Sequence, residues 1–508
     1  MFIRRKPNKS GSTSVQIVSK DSGKYKVIQS LGSARDQFGI ADLENKAQLA
    51  IIELTRQPKI DFLADRNEKV LLDFILNGEI TIRQVGPERI LGSIFDEIGF
   101  GAIKQKLFRH LVIGRVCFPG SKLKTSRYLN MYLGVTYPVG RIYRFLDKLK
   151  DSLQTQAEDI SIKHTKSLFK DDISIVFYDV TTIYFEASQP DEWRKAGFSK
   201  DGKHQNPQLL LGLLVSEGGY PLAYSIHEGN SYEGNTLIPV LDAFKKRLNL
   251  DQITVIADSG LLSKNNLEQI EKLEYTYIIG ARLKNESDAL KQQILALPKT
   301  ENSVSEVLRP DGRRLIVSWS ESRSKNDAQN REKGLEKLKK ACSSGKLTKA
   351  NINQRGYNRF LTLEGEIKVT VDDEKVADDA KWDGLKGYIT NTKLSDKEVI
   401  SNYNQLWAIE KAFRISKTDL KIRPIYHRLQ KRIEAHICIS FCAYKLYKEL
   451  ERQLRVKEIN LTAEKVIELL PAIMELEAKI PGRPKSVKRI IQTNPEQDAL
   501  LVAFAKKT

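Results

Sequence analysis

Two apolar, β-branched runs in this 508-residue chain each end on an aspartate. Residues 173–179 read Ile-Ser-Ile-Val-Phe-Tyr-Asp, and residues 253–258 read Ile-Thr-Val-Ile-Ala-Asp. Runs of this composition are buried strands, so Asp179 and Asp258 stand rigidly at strand ends. Either acid alone is slightly better explained as a strand terminator that caps a turn. Two of them in one α/β stretch constrain the fold more, because neighbouring strands lie about 4.8 Å apart. A third acid, Glu410, sits in the cation-dense stretch Tyr-Asn-Gln-Leu-Trp-Ala-Ile-Glu-Lys-Ala-Phe-Arg-Ile-Ser-Lys. Carboxylates gathered at one point repel one another unless a divalent cation neutralises them. Such a set suits metal-assisted chemistry on phosphodiesters.

The charge balance agrees. Lys plus Arg number 83 against 64 Asp plus Glu, a formal +19, which favours a polyanionic partner. The longest clean apolar run, Leu209 to Val215, is far too short to span a bilayer, and no apolar segment follows the basic N-terminus. A membrane partner and a secreted route are therefore not expected. Four cysteines are too few for a disulfide framework. Cys438 and Cys442, four apart, read as small residues of a buried helix rather than a metal half-site, since no second pair lies at zinc spacing. His427 and His436 read as loop and helix residues, not ligands.

Along the chain, residues 1–42 form a β-rich segment and 43–168 a helical, basic region. Residues 169–284 carry the first part of an α/β core, and 285–383 a β-rich insertion. Residues 384–450 resume the core, and 451–508 are helical. Within the core the order is three strands joined as hairpins, then helix, strand, helix, strand. Glu-Gly-Gly-Tyr at 217–220 is a hairpin turn, and Ser395-Asp-Lys-Glu398 is a capping box. Antiparallel strands first and parallel ones later give a ribonuclease-H-like mixed sheet interrupted by the insertion.

Residues 101–150 hold eleven Lys or Arg and one acid, Asp147, with tyrosines interleaved. Pro119-Gly120-Ser121 reads as a turn and helix N-cap. A solvated basic face is the plainer reading of one such helix, but a net +10 over fifty residues points to phosphate contact by Lys122, Lys124, Arg127, Arg141 and Arg144. Cations at 194, 195, 200 and 203, in the loop after the Asp179 strand, are equally well read as phosphate contacts or as a solvated loop.

Tyr403, Glu410 and Lys417 are spaced by sevens, with Arg414 one turn after Glu410, so on one helix they share a stripe. Leu406, Ile409, Phe413 and Leu420 form the neighbouring apolar face. Trp382 and Trp407 read as core residues.

These residues resemble the DDE transposases of bacterial insertion sequences, in particular the group with a Y-x2-R-x3-E-x6-K signature. Tyr403, Glu410 and Lys417 are in register with it, and Leu406 takes the arginine position, with Arg414 a substitute. Val-Ile-Ala-Asp-Ser-Gly-Leu-Leu-Ser at 255–263, Glu-Gly-Asn at 228–230 and Arg-Pro-Ile-Tyr-His-Arg at 423–428 are also similar to that group. The resemblance implies Asp179, Asp258 and Glu410 as catalytic residues and metal ligands, with Mg2+ or Mn2+, two ions in all. It implies cleavage at the element's ends and strand transfer into target DNA by a homodimer on paired terminal inverted repeats, in the bacterial cytoplasm. Tyr403, Arg414 and Lys417 would contact DNA, and a tryptophan (Trp319, Trp382 or Trp407) would stack on a displaced base. A nuclease of the same fold that cuts without joining, or an inactive DNA-binding regulator, are the alternatives. All three acids are present, which argues against the last.

Overall fold

The structure is a computed structural model. It describes residues 1–21, 23–55, 79–149, 152–169, 173–186, 189–199, 202–248, 253–261, 263–344, 347, 351–353, 356–364, 368–423, 425–479, 486–491 and 493–505. Three antiparallel strands open the chain, β1 (Phe2–Pro7), β2 (Thr13–Asp21) and β3 (Lys24–Ala34), in the order β1-β2-β3. Val15 and Ile17, on alternate positions of β2, pack with Ala47 of helix α1 (Gln37–Thr55). Residues 1–80 and 478–487 form one unit of the chain, and 81–477 with 488–508 form the other.

The region expected to be helical as far as 168 contains a strand, β4 (Glu79–Gln84). Its Glu-Ile-Thr-Ile-Arg-Gln alternates polar with β-branched residues, which is strand chemistry. The helix expected over 68–76 lies outside the described residues. Then come α2 (Gly86–Ile98), α3 (Lys106–Cys117), α4 (Lys122–Leu133), α5 (Val139–Lys148) and α6 (Ser152–Leu168). Ser121 caps α4 as expected, accepting from the backbone N–H of Lys124.

The second unit is organised by one eight-stranded sheet. It contains β5 (Ile175–Tyr184), β6 (Gln208–Ser216) and β7 (Pro221–Glu228), an antiparallel meander. Gly218 and Gly219 make the β6–β7 turn with φ of 72° and 79°, the double left-handed conformation that two glycines permit. Helix α7 (Leu237–Leu248) leads to β8 (Thr254–Ala257), and α8 (Lys264–Lys272) to β9 (Thr276–Ala281). Strand β8 is parallel to both β5 and β9.

The insertion supplies α9 (Asp288–Leu295), β10 (Val304–Leu308), β11 (Arg314–Trp319) and the 23-residue α10 (Glu321–Ser343). It continues with a small hairpin, β12 (Leu361–Glu364) and β13 (Lys368–Val371), and α11 (Asp373–Ala380). Strand β14 (Leu385–Thr390) then pairs antiparallel with both β9 and β11, so the sheet order is β10-β11-β14-β9-β8-β5-β6-β7. The meander flanked by parallel strands is ribonuclease-H-like. The insertion is not the β-rich body expected. Among its described residues three α-helices accompany four strands, and β10 and β11 extend the core sheet itself.

The capping box at Ser395 and Glu398 forms and starts α12 (Asp396–Asn404). Helix α13 (Trp407–Thr418) follows, and α14 (Gln430–Val456) runs through the core. Cys438 and Cys442 are buried on α14, as expected of core residues. After α15 (Ala463–Leu469) come two strands, β15 (Met474–Lys479) and β16 (Val487–Ile491), and then α16 (Pro495–Ala503). The expectation of an all-helical C-terminus is thus corrected. Met-Glu-Leu-Glu-Ala-Lys alternates with period two and cannot present one helical face. The break at 481–484 lies outside the described residues.

Both faces of the sheet are buried, which explains its near-continuous apolar strands. Phe177, Ile256, Ile278 and Ile316 lie in the same cluster as Ile409 and Phe413 of α13. Val176, Val255, Tyr277 and Val317 lie in the other, with Leu241, Phe244 and Ile270. No described helix is long and apolar enough to cross a membrane.

Asp147, the sole acid of the basic block, ties α5 to α14. Arg432 donates to both its carboxylate oxygens at 2.7 and 2.8 Å. The Arg432 bond holds Asp147 below the usual carboxylate range. A depressed folded pKa contributes stability above the unfolded value, near 3.9, which is lost as pH falls through the folded value. Asp147→Asn should therefore cost about 1 kcal/mol at pH 7, and urea titrations should show the gap closing as pH falls below the carboxylate range.

Candidate active site

The two aspartates are brought into register by the sheet. Tyr178 pairs with Ala257 across parallel strands β5 and β8, so the next residues, Asp179 and Asp258, are neighbours facing the same side. The row continues. Ala257 pairs with Ile279 and Tyr388 with Gly280, which places Gly280 beside Asp258 and Tyr388 beyond it. On the other flank, Asp179 pairs with Leu213 of β6. One line across the sheet thus reads Leu213, Asp179, Asp258, Gly280, Tyr388. Asp179 is half-buried and Asp258 exposed. Each accepts a backbone N–H from the residue that follows it, Val180 at 2.7 Å and Ser259 at 2.6 Å.

The gap at Gly280 is filled from above. A Cβ there would stand 2.4 Å from the Tyr403 hydroxyl, so glycine is what lets the α12 tyrosine descend onto the row. Tyr403 is only 7% exposed, and its hydroxyl reaches Asp258 Oδ1 at 3.4 Å, at the long end of hydrogen bonding. Burial first, then the Asp258 charge, raises the Tyr403 pKa, so the phenol stays a neutral donor. The sequence holds a signal for this contact, since a lone glycine inside an apolar strand marks close approach of another group.

Tyr403 and Glu410 do not share one helix. Between α12 and α13, Gln405 and Leu406 donate to Asn402 and Tyr403, a tightened i→i+3 turn. The expected stripe is broken there: Tyr403 turns inward, while Glu410 in the first turn of α13 is exposed, as is Arg414, with Lys417 half-buried. Lys386, at the start of β14, was not anticipated. Its ammonium lies 4.6 Å from the centroid of the Tyr403 ring and 5.4 Å from that of Tyr388. Burial and then Arg323 lower its pKa, while Asp258 and Glu410 act in the opposite sense.

The donor chemistry fits a hard divalent cation, which takes carboxylate oxygens. Among the described residues, however, no three Asp, Glu, His or Cys side chains converge closely enough to hold an ion. The in-register pair is what the sheet assembles, and Glu410 stands on a separate helix.

The basic block divides. Lys124, Arg127, Arg141 and Arg144 are exposed, with Arg141 over the Tyr137 ring at 5.0 Å. Lys122 is buried, 5% exposed, which corrects its expected place on a phosphate-binding face. His436 donates from Nε2 to the carbonyl of Ile422 at 3.0 Å. Its Nδ1 is then an acceptor for Lys122 at 3.4 Å and Arg115 at 3.3 Å. In the loop after β5, Arg194 bonds Asp191 and Lys195 bonds Glu228. Trp407, expected in the core, is 61% exposed, because the turn at 405–406 points the start of α13 outward. Trp319 donates to the carbonyl of Asp383 at 3.0 Å. Trp382, half-buried, lines a cavity of about 340 Å³ with Arg323, Arg331, Tyr357 and Lys386.

The family described as Transposase DDE domain matches residues 170–446. The chain belongs to the DDE transposases. The matched span includes the strand row, Glu410 and the insertion. Among solved structures, it is similar to piggyBac transposase in a synaptic complex with hairpin DNA, at 9% identity over 76% of each chain with a TM-score of 0.40. It is also similar to Mos1 transposase in a paired-end complex with the left transposon end, at 13% identity over 31% of this chain and 53% of that one, TM-score 0.16. A third likeness is to the Mos1 mariner paired-end complex with Mn, at 12% identity over 31% and 54%, TM-score 0.15. The search of curated proteins returns no match.

Gly280→Ala should press on Tyr403 and cost about 1–3 kcal/mol, the range for overpacking a dense site. A lowered urea midpoint with an unchanged slope would report it.

Proposed function

We propose that this transposase cuts DNA at the terminal inverted repeats of a bacterial insertion sequence. It then joins the freed 3′-hydroxyl to target DNA. The observation that carries the reading is the register of Asp179 and Asp258 on adjacent parallel strands within a chain of this family. Asp179, Asp258 and Glu410 would hold Mg2+ or Mn2+, two ions in all. Bound there, divalent ions supply Lewis-acid polarisation of a phosphate oxygen and a stronger oxygen nucleophile.

The chain's own residues do the rest. The backbone N–H groups of Val180 and Ser259 orient the two carboxylates, and Tyr403 donates to Asp258. The buried sheet keeps the pair fixed, so little reorganisation accompanies reaction. The exposed cations Lys124, Arg127, Arg141 and Arg144 of 43–168, with Arg414 and Lys417 on α13, would hold the DNA backbone. We assign 169–284 and 384–450 to the catalytic core and 285–383 to an insertion that borders the site. The active species is a homodimer that pairs two ends, acting in the cytoplasm on the nucleoid.

Incubation with Mg2+ and a DNA carrying the element's own ends should yield end cleavage and joined products. Products of cleavage without joining would instead identify a nuclease. Asp179→Asn, Asp258→Asn and Glu410→Gln should each abolish cleavage while DNA affinity stays near that of the wild type. Turnover by Glu410→Gln would reassign the third ligand. Binding should weaken with salt, log K falling by about 0.9 per log unit of salt for each phosphate neutralised. Removing Arg141 and Arg144 together should lower that slope, and a flat salt response would remove the case for the basic block.

A further inference from the structure

The carboxylate site contains a cation of its own. Lys386 stands two residues before Tyr388 on β14, on the same face as Asp179 and Asp258, and its strand partner on β11 is Ser318. Strand β14 runs antiparallel to β9, and β9 is parallel to β8. The start of β14 therefore lies at the sheet edge where β8 delivers Asp258. The Tyr388 and Tyr403 rings, 4.9 Å apart and close to perpendicular, form two walls of a cage around the ammonium. Aromatic faces hold an ammonium well.

An ordinary packing role does not account for this cation. A half-buried ammonium loses hydration, and the Arg323 guanidinium adds repulsion. The charges that act favourably on it are Asp258 and Glu410, two of the three acids assigned above. A methionine would fill the same cage without the desolvation cost. The charge is thus the property that distinguishes lysine here, and it faces the acids.

We propose that Lys386 is a resident counter-ion of the carboxylate site, holding Asp258 and Glu410 together before divalent ions bind and opposing their entry. This rests on the assignment of those acids as metal ligands. Lys386 is a positioning residue: it offsets the repulsion between acids that have no ion between them, and an incoming dication must overcome the like charge. The cavity of about 340 Å³ that Lys386 also lines gives the side chain room to withdraw. Divalent ions would then load fully only at concentrations that outcompete the lysine.

The test is Mn2+ binding to the full chain without DNA, by isothermal titration calorimetry at low ionic strength. Lys386→Met should bind Mn2+ about five- to tenfold more tightly than wild type, as expected for loss of one partly screened like charge. Lys386→Arg, which keeps the charge, should bind as wild type does. The gain in Tm on adding Mn2+ should be larger for the Met variant than for wild type. Lys386→Gln serves in its place if the Met variant does not fold. Equal or weaker Mn2+ binding by folded Lys386→Met or Lys386→Gln would overturn the proposal. Asp258→Asn is the separate control. If it kept wild-type Mn2+ affinity, the metal assignment itself would fall, and this inference with it.

Discussion

Two carboxylates on adjacent parallel strands repel each other, and the rest of the fold has to hold them there. Neighbouring strands lie about 4.8 Å apart, and like charges brought that near each other repel. The sheet resists this repulsion by burying both faces. With Phe177 and Ile256 sealed beneath α13 and α14, and Val176 and Val255 sealed on the opposite side, a one-residue slip would carry every core residue to the wrong face. The same slip would send Asp179 and Asp258 to opposite sides. Core register and carboxylate pairing are one constraint.

Features written in local residue types were legible in the sequence. The strand-end Asp258, the Gly218-Gly219 turn, the Ser395–Glu398 box and the buried helix around Cys438 each depend on neighbours a few residues away, whereas Asp179, expected at a strand end, lies in the middle of β5, which runs on through Val-Thr-Thr-Ile-Tyr to Tyr184. What the sequence concealed depends on residues far apart. Lys122 looks like a surface cation until α14 places His436 beside it, 314 positions later. Tyr403 looks like one end of an exposed stripe until a glycine 123 positions earlier leaves room for its ring. The strands at 79–84 and 474–479 are short and mostly polar, so their alternation was outweighed by the helical periods around them.

The turn at 405–406 changes what the signature spacing means. On one continuous helix, Tyr403, Glu410 and Lys417 would present a single face. With the ladder tightened between α12 and α13, the tyrosine supports Asp258 from inside the fold, while Glu410 and Lys417 stay together on α13. The position that departs from the family pattern, Leu406, is at this turn. It accepts backbone N–H groups from Ile409 and Glu410, so its main chain starts the helix that carries the third acid.

The insertion is coupled to the site by covalent and hydrogen-bonded continuity. Strand β11 pairs with β14, and Ile316 lies opposite Tyr388, extending the catalytic row by one strand into the insertion. Because β11 runs toward the edge where β14 begins, the chain leaves β11 at that edge and enters α10. Ser320 caps α10 by accepting from the backbone N–H of Arg323, which fixes the first turn that carries this guanidinium. The returning chain reaches the same edge at Leu385 and Lys386. The β11–α10 turn and the start of β14 therefore bring two cations, Arg323 and Lys386, to one edge of the sheet. A displacement of the insertion relative to the core would have to break the β11–β14 ladder, so the positive side of the site is built as rigidly as the negative one.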